Sequence, residues 1–431
     1  MVTDERTRTV PTGAVRPRRG ALAVAVGAAL LVVVATVVVR LSATPVAALS
    51  AAGLLALLRG GLPWRALRTP LDLAVAAGLG AGVLAFWING HGGSRLWAHL
   101  AFALAFYLLV GVQVAWRRGR TVLALAAAAA VGTTALVAVL QWVLGLDTGY
   151  CRAEIVGGAD SCERTVTAVR VIGTLTNPNL LAPVLVLLVP VGCVALRSTL
   201  GPRVGRRWAQ AAALALGALG TTALVMTLSR GGLVSLVALT VAALALRKPS
   251  SRTLVGSALG VAAGIAVALG TLLARFSLGP RTEVWKVSLE LVREHPWGVG
   301  LGRSGPFIDA RIPGDQRFYH SHNLWLTWLV EAGLPGLLAA VTLSVVLAVL
   351  VVRGARRRDA LSIAAGVGLA GFAVISLFDN PSFRTTVAVP LWTVVAILVA
   401  GELGARRRRE SAGGAVDQGS TRLAPNANTS W

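Results

Sequence analysis

The chain has 431 residues, of which 55% are hydrophobic and only 14% charged, with a mean hydropathy of +0.72. That balance excludes an ordinary soluble domain and points to a polytopic membrane protein. The net charge of +23, from 41 Lys and Arg against 18 Asp and Glu, does not indicate nucleic acid, because the basic residues sit in short segments between apolar runs.

A polar, Arg-rich segment over 1–20 reads as a disordered cytoplasmic tail. Apolar runs then follow near 21–39, 42–58, 71–88, 96–115, 121–145, 179–196, 208–228, 231–246, 253–274, 334–352, 360–378 and 385–401. Each approaches the ~20 residues that cross ~30 Å of hydrocarbon. The expectation is an all-α protein of about twelve transmembrane helices over 21–401, with a disordered cytoplasmic tail over 402–431. Every second loop is strongly basic, from Arg16, Arg18 and Arg19 to Arg353, Arg356, Arg357 and Arg358. By the positive-inside rule these loops and both termini face the cytoplasm of an inner membrane, where their charge meets anionic headgroups. The other loops face outside, among them a large helical outer loop over 275–322.

Most candidates for chemistry fall on that outer side. Cys151 and Cys162 share one outer loop and are spaced for a small disulfide in an oxidising compartment. Arg170 precedes Gly173-Thr174-Leu175-Thr176-Asn177-Pro178-Asn179, a turn sequence that caps the next helix. Arg230 stands at a helix junction in Ser229-Arg230-Gly231-Gly232, where two glycines let backbone or ligand approach closely. Arg281 opens an amphipathic segment with Val284, Val287 and Leu291 on one face. The run Gly298-Val299-Gly300-Leu301-Gly302 is compatible with a phosphate cradle or with a bland loop. His320 and His322 invite comparison with metal ligands, but no acidic or Cys/His set in the sequence completes a coordination sphere. A general base is the better functional reading, since imidazole titrates near neutral pH. Asn323 follows, and one unbroken helix from there to Val352 would run ~45 Å, too long for a simple span. The expectation is a break near Gly333-Leu334-Pro335-Gly336, with Glu331 at the end of a short helix near the outer surface.

Taken together, Gly173…Asn177-Pro178-Asn179, Ser229-Arg230-Gly231-Gly232, Arg281 with Trp285, Pro296…Gly302 and His322-Asn323…Leu326…Glu331…Gly333…Gly336 resemble the O-antigen ligase and O-antigen polymerase superfamily. The resemblance covers about 172–352. It implies a GT-C-like membrane glycosyltransferase that needs neither cofactor nor metal. It also implies an undecaprenyl-diphosphate-linked glycan as donor and a lipid, polysaccharide or protein as acceptor. By the same resemblance Arg230, Arg281 and His322 are the catalytic residues. Asn323, Arg170, Asn177, Glu331 and His320 are candidates for substrate binding. A twelve-helix secondary transporter or flippase is the alternative. Against it, the chain shows no convincing half-to-half repeat and its functional-looking polar residues gather on one side.

Overall fold

A computed structural model describes residues 20–37, 41–153, 167–247, 281–313 and 318–420. In chain order the helices are α1 (Ala21–Val37), α2 (Ala43–Arg59), α3 (Asp72–Asn89), α4 (Gly93–Ala115), α5 (Gly119–Leu144), α6 (Pro178–Val204), α7 (Arg206–Met226), α8 (Arg230–Arg247), α9 (Arg281–Glu294), α10 (Ser304–Asp309), α11 (Leu324–Arg356), α12 (Ala360–Ser376) and α13 (Thr385–Ser420). Eight of the described helices are long and apolar enough to cross a membrane, and three further apolar helices are shorter. The apolar run at 253–274 lies outside the described residues, as does the 1–19 tail. One short antiparallel ladder, β1 (Cys151–Ala153) with β2 (Thr167–Val169), interrupts the all-helical pattern.

The central helix is α6, buried along most of its length by α5, α7, α12 and α13. Its sequence explains how it starts: the Asn177 side chain accepts from the Asn179 backbone N–H, and Pro178 fills the first turn, where a missing N–H costs nothing. Within hydrocarbon, helices associate through close packing of small residues, since the lipid is as apolar as they are. Accordingly a Cβ on Gly192 would lie 3.0 Å from the Ala128 Cα of α5, and one on Gly220 would lie 2.4 Å from Val189.

At one end of the bundle Arg120 bonds Asp359, Ser362 and the Ile397 carbonyl, joining α5, α12 and α13. Nearby, Glu402 pairs with Arg357 and Arg406. Glu402 and Arg406 lie on α13, whose helical backbone continues beyond Gly401 to Ser420, where the sequence reading expects an unstructured tail from Glu402. Glu402 and Arg406, one turn apart, support the extra turns. Residues 421–431 lie outside the described residues.

At the opposite end, α11 breaks where its length requires it. Gly333 has φ 64° and ψ −161°, so a short helix from Leu324 turns there into the long one. The break is locked by the segment after α9. Val299 and Gly300 donate backbone N–H groups to the carbonyls of Val330 and Glu331. Gly333 in turn lies so close to that segment that a Cβ would be 2.5 Å from the Pro296 oxygen. An apolar groove of about 750 Å³ runs between α3, α4, α8, α11 and α12, from Leu324 and Leu377 at this end towards Leu246 and Val352 at the other.

Candidate active site

At the broken end of α11, three loop segments supply chemistry. The segment before α11 carries His320 and His322, and its Asn323 caps the helix by accepting from the Leu326 N–H. The Asn323 amide also donates to the Leu377 carbonyl, 3.1 Å away, which ties this segment to the end of α12. The turn after α12 carries Asp379, whose Oδ1 lies 3.3 Å from His320 Nε2 and 3.5 Å from His322 Nδ1. The two imidazole centroids are 4.5 Å apart.

A hydrogen bond assigns the tautomer of His320. His320 Nδ1 accepts the backbone N–H of His322 at 3.0 Å, so its proton sits on Nε2 and faces Asp379. Burial pushes His320 down to about 4, with the Asp379 charge opposing and the charges of His322, Arg95 and Arg384 assisting. His320 is therefore a neutral donor at neutral pH. Burial raises the Asp379 carboxyl, but the His322 ring beside it and the charges of His320, His322 and Arg281 outweigh it and hold the group below the usual carboxylate range. His322 Nδ1 faces this carboxylate at 3.5 Å and makes no hydrogen bond of its own among the described residues; a proton on Nδ1 would leave the Nε2 lone pair free, the arrangement a general base requires.

His322 also has φ +48°, and Leu228, two residues before Arg230, has φ +49°. Non-glycine residues seldom adopt this region, and such strain collects at functional sites.

The catalytic candidates from separate helices reach the same turn. Arg281 starts α9, and its charge acts on Asp379. Trp285, one turn further on, packs against the cluster of Ala238, Val374 and Phe378. Arg230 starts α8, and a Cβ on the following Gly231 would lie 3.8 Å from Ile375 Cα and 4.0 Å from Phe378 Cβ. Residues 375–379 are thus the place where the segments of Arg230, Arg281 and His322 meet. Trp285 Nε1, Ser321 Oγ, His322 Nδ1 and Ser376 Oγ are buried here without a hydrogen-bond partner among the described residues, leaving polar capacity for a substrate.

The remaining candidates separate from this cluster. Glu331 is buried, and its carboxylate accepts from the Gly302 N–H at 2.8 Å and the Ser304 hydroxyl at 2.6 Å. The glycine run therefore spends its N–H groups on Val330, Glu331 and the Glu331 side chain, which disfavours the phosphate-cradle reading. Arg170 bonds the Thr227 carbonyl and Asn179 Oδ1, clamping the end of α7 to the start of α6. The Asn177 side chain is occupied by its own helix cap and by the Tyr150 hydroxyl. The backbone of Cys151 lies in β1, and Cys162 is outside the described residues.

Three residues are missing from the sequence reading of the site. Asp379 lies in an Asp379-Asn380-Pro381 turn, and no local signal links it to histidines 59 and 57 residues upstream. Arg95 and Arg384 were not singled out either, although both act on His320.

Ligand atoms of His320, His322 and Asp379 all lie within 4.8 Å of one another, a spacing that also invites a cation. The surroundings argue otherwise. Both rings turn towards a single carboxylate oxygen, and the charges of Arg95, Arg281 and Arg384 reach the same cluster, a field that repels a dication and attracts an anion. A hydrogen-bonded acid–base cluster is the better account.

Compared with known protein families, residues 213–341 match the family described as O-antigen ligase. The matched segment contains Arg230, Arg281, His322, Asn323 and Glu331 and ends before Asp379. No match is found among curated proteins.

Proposed function

We propose that this chain, assigned to the O-antigen ligase family by residues 213–341, transfers a glycan from an undecaprenyl-diphosphate carrier to a hydroxyl-bearing lipid, polysaccharide or protein acceptor. As a family member it is a multi-pass membrane glycosyltransferase of the ligase and polymerase type. The finer reading rests on one observation: the His322–Asp379 pair lies at the turn where the segments carrying Arg281 and Arg230 come together.

In this reading His322 Nε2 takes the proton of the acceptor hydroxyl, and Asp379 stabilises the imidazolium that forms. The hydroxyl oxygen attacks the anomeric carbon from the face opposite the diphosphate, the bond from that carbon to the carrier oxygen breaks, and the configuration inverts. The lipid diphosphate leaves with the bonding electrons, and Arg230 and Arg281 receive its growing negative charge in fork geometry. The apolar groove ending at Leu377 suits the prenyl chain. The loop charges support a placement of this end of the bundle on the outer face of the cytoplasmic membrane, with both termini inside. Asn323 and His320 then act by fixing His322, while Arg170, Asn177 and Glu331 hold the scaffold. A metal ion has no step here.

The test is a donor-depletion assay with the full chain in sealed proteoliposomes, a labelled undecaprenyl-diphosphate glycan, a lipid-anchored oligosaccharide acceptor and EDTA. Wild type is expected to consume the donor and His322→Ala to leave it intact. Equal depletion by both proteins, or donor translocation without bond cleavage, would overturn the reading, the second outcome in favour of a flippase.

A further inference from the structure

The cluster has a second cationic side that the reaction above does not use. Arg95, in the first turn of α4, places its guanidinium 4.0 Å from the centre of the Phe383 ring, and Arg384 places its own 5.0 Å from the same ring. Phe383 also meets His320 edge-on, with centroids 5.2 Å apart. Two cations are therefore held against one aromatic ring beside the His320–Asp379 contact. Such rings attract cations through their quadrupole and fix the guanidinium planes without consuming their N–H donors.

These donors have no protein acceptor among the described residues. Arg95 feels the charge of Glu331, but both Glu331 oxygens are engaged by Gly302 and Ser304. Arg384 is exposed. Two like charges converging on a neutral histidine are unfavourable unless an anion joins them. The charges also divide by side: Arg281 acts on Asp379, whereas Arg95 and Arg384 act on His320.

We propose that Arg95 and Arg384, splayed around Phe383, form an anion-binding subsite that takes a phosphate or carboxylate group of the acceptor glycan. The proposal rests on the glycosyltransferase reading, in which the diphosphate of the donor belongs to the Arg230 and Arg281 side. The subsite holds the acceptor on the opposite side of the histidine pair, so that its hydroxyl reaches His322 while the donor approaches from the other. Acidic acceptors are then preferred over neutral ones. Phosphate and carboxylate share this chemistry, and the experiment separates them.

The test uses the full chain in nanodiscs with three lipid-anchored oligosaccharide acceptors that are identical except for a phosphate monoester, a uronate carboxylate or a hydroxyl at one position. Wild type is expected to favour one or both acidic acceptors over the neutral one by kcat/KM, and whichever is favoured names the group. Arg384→Glu, at an exposed position where folding is not at risk, is expected to reduce that preference at least about tenfold, as loss of a charge-assisted bidentate contact implies. Arg95→Gln is expected to act in the same direction, and Arg384→Lys to recover part of the preference. Binding of the acidic probes to His322→Ala, which needs no turnover, is measured alongside. Arg384-dependent binding without any transfer by wild type sustains the subsite and overturns the glycosyltransferase reading. Equal use of acidic and neutral acceptors by wild type, a rise in donor KM in place of the lost preference, or probe binding unaffected by Arg384→Glu overturns the subsite.

Discussion

At the scale of single residues, His322 and Asp379 are distinguishable by experiment. Replacing His322 with Ala removes the proposed base, and transfer is expected to fall by ~10²–10⁴ in kcat while donor binding persists in a filter or fluorescence assay. Asp379→Asn preserves shape but removes the charge that orients His322, so kcat is expected to drop by at least ~10² with donor KM little changed. A donor KM that rises in proportion instead would place Asp379 in binding. His320 makes a prediction about stability. Its folded pKa is about 4 against ~6.5 for an unperturbed histidine, so the unfolded chain binds the extra proton between these values. The neutral ring's contribution is complete above pH ~6.5 and is lost as pH falls towards 4. The melting temperature of wild type is thus expected to decline over this window, and that of His320→Asn to decline less steeply. Parallel curves would contradict the assignment of His320 as a buried neutral donor.

At the scale of elements, the break in α11 and the glycine-rich segment form one latch. Glu331→Ala leaves the Gly302 N–H and the Ser304 hydroxyl buried without their acceptor, a cost of roughly 1–3 kcal/mol per group. The segment is then expected to loosen, and trypsin to cleave faster at Arg303 and Arg311, with Glu331→Gln intermediate. Unchanged cleavage would mean that the backbone bonds of Val299 and Gly300 suffice alone. Gly333→Ala meets two obstacles, a φ of +64° and a Pro296 oxygen 2.5 Å from the new Cβ. A loss of at least ~2 kcal/mol is expected in a thermal melt. The break itself was legible in the sequence, because helix length against bilayer thickness demanded it and Gly-Leu-Pro-Gly supplied the place. What the break holds was not. The glycine run looks the same whether its N–H groups face a phosphate or a carboxylate from a helix 29 residues later.

At the scale of the molecule, the groove and the far-end ion pair concern what the bundle binds and what holds its helices together. Ala242→Trp fills the groove from α8, and its donor KM is expected to rise ~10-fold or more for a full-length prenyl chain but not for a short-chain analogue. Equal effects on both donors would remove the groove from substrate binding. Arg120→Ala leaves Asp359 without its guanidinium at a partly buried junction of three helices, and a melting shift equivalent to ~1–3 kcal/mol is expected.

The amino-acid sequence by itself determined the multi-pass membrane class and the positions of the apolar helices among the described residues. Those properties follow from hydrophobic run length, which is local along the chain. It also singled out Arg230, Arg281 and His322, through motifs that lie within one matched segment. Only the tertiary structure decided which groups complete them. Asp379 stands beside His322 because α12 returns antiparallel to α11, and Arg95 stands beside His320 because α4 packs near the same turn. Proximity between residues dozens to hundreds of positions apart is a property of packing, and no spacing rule in the chain encodes it.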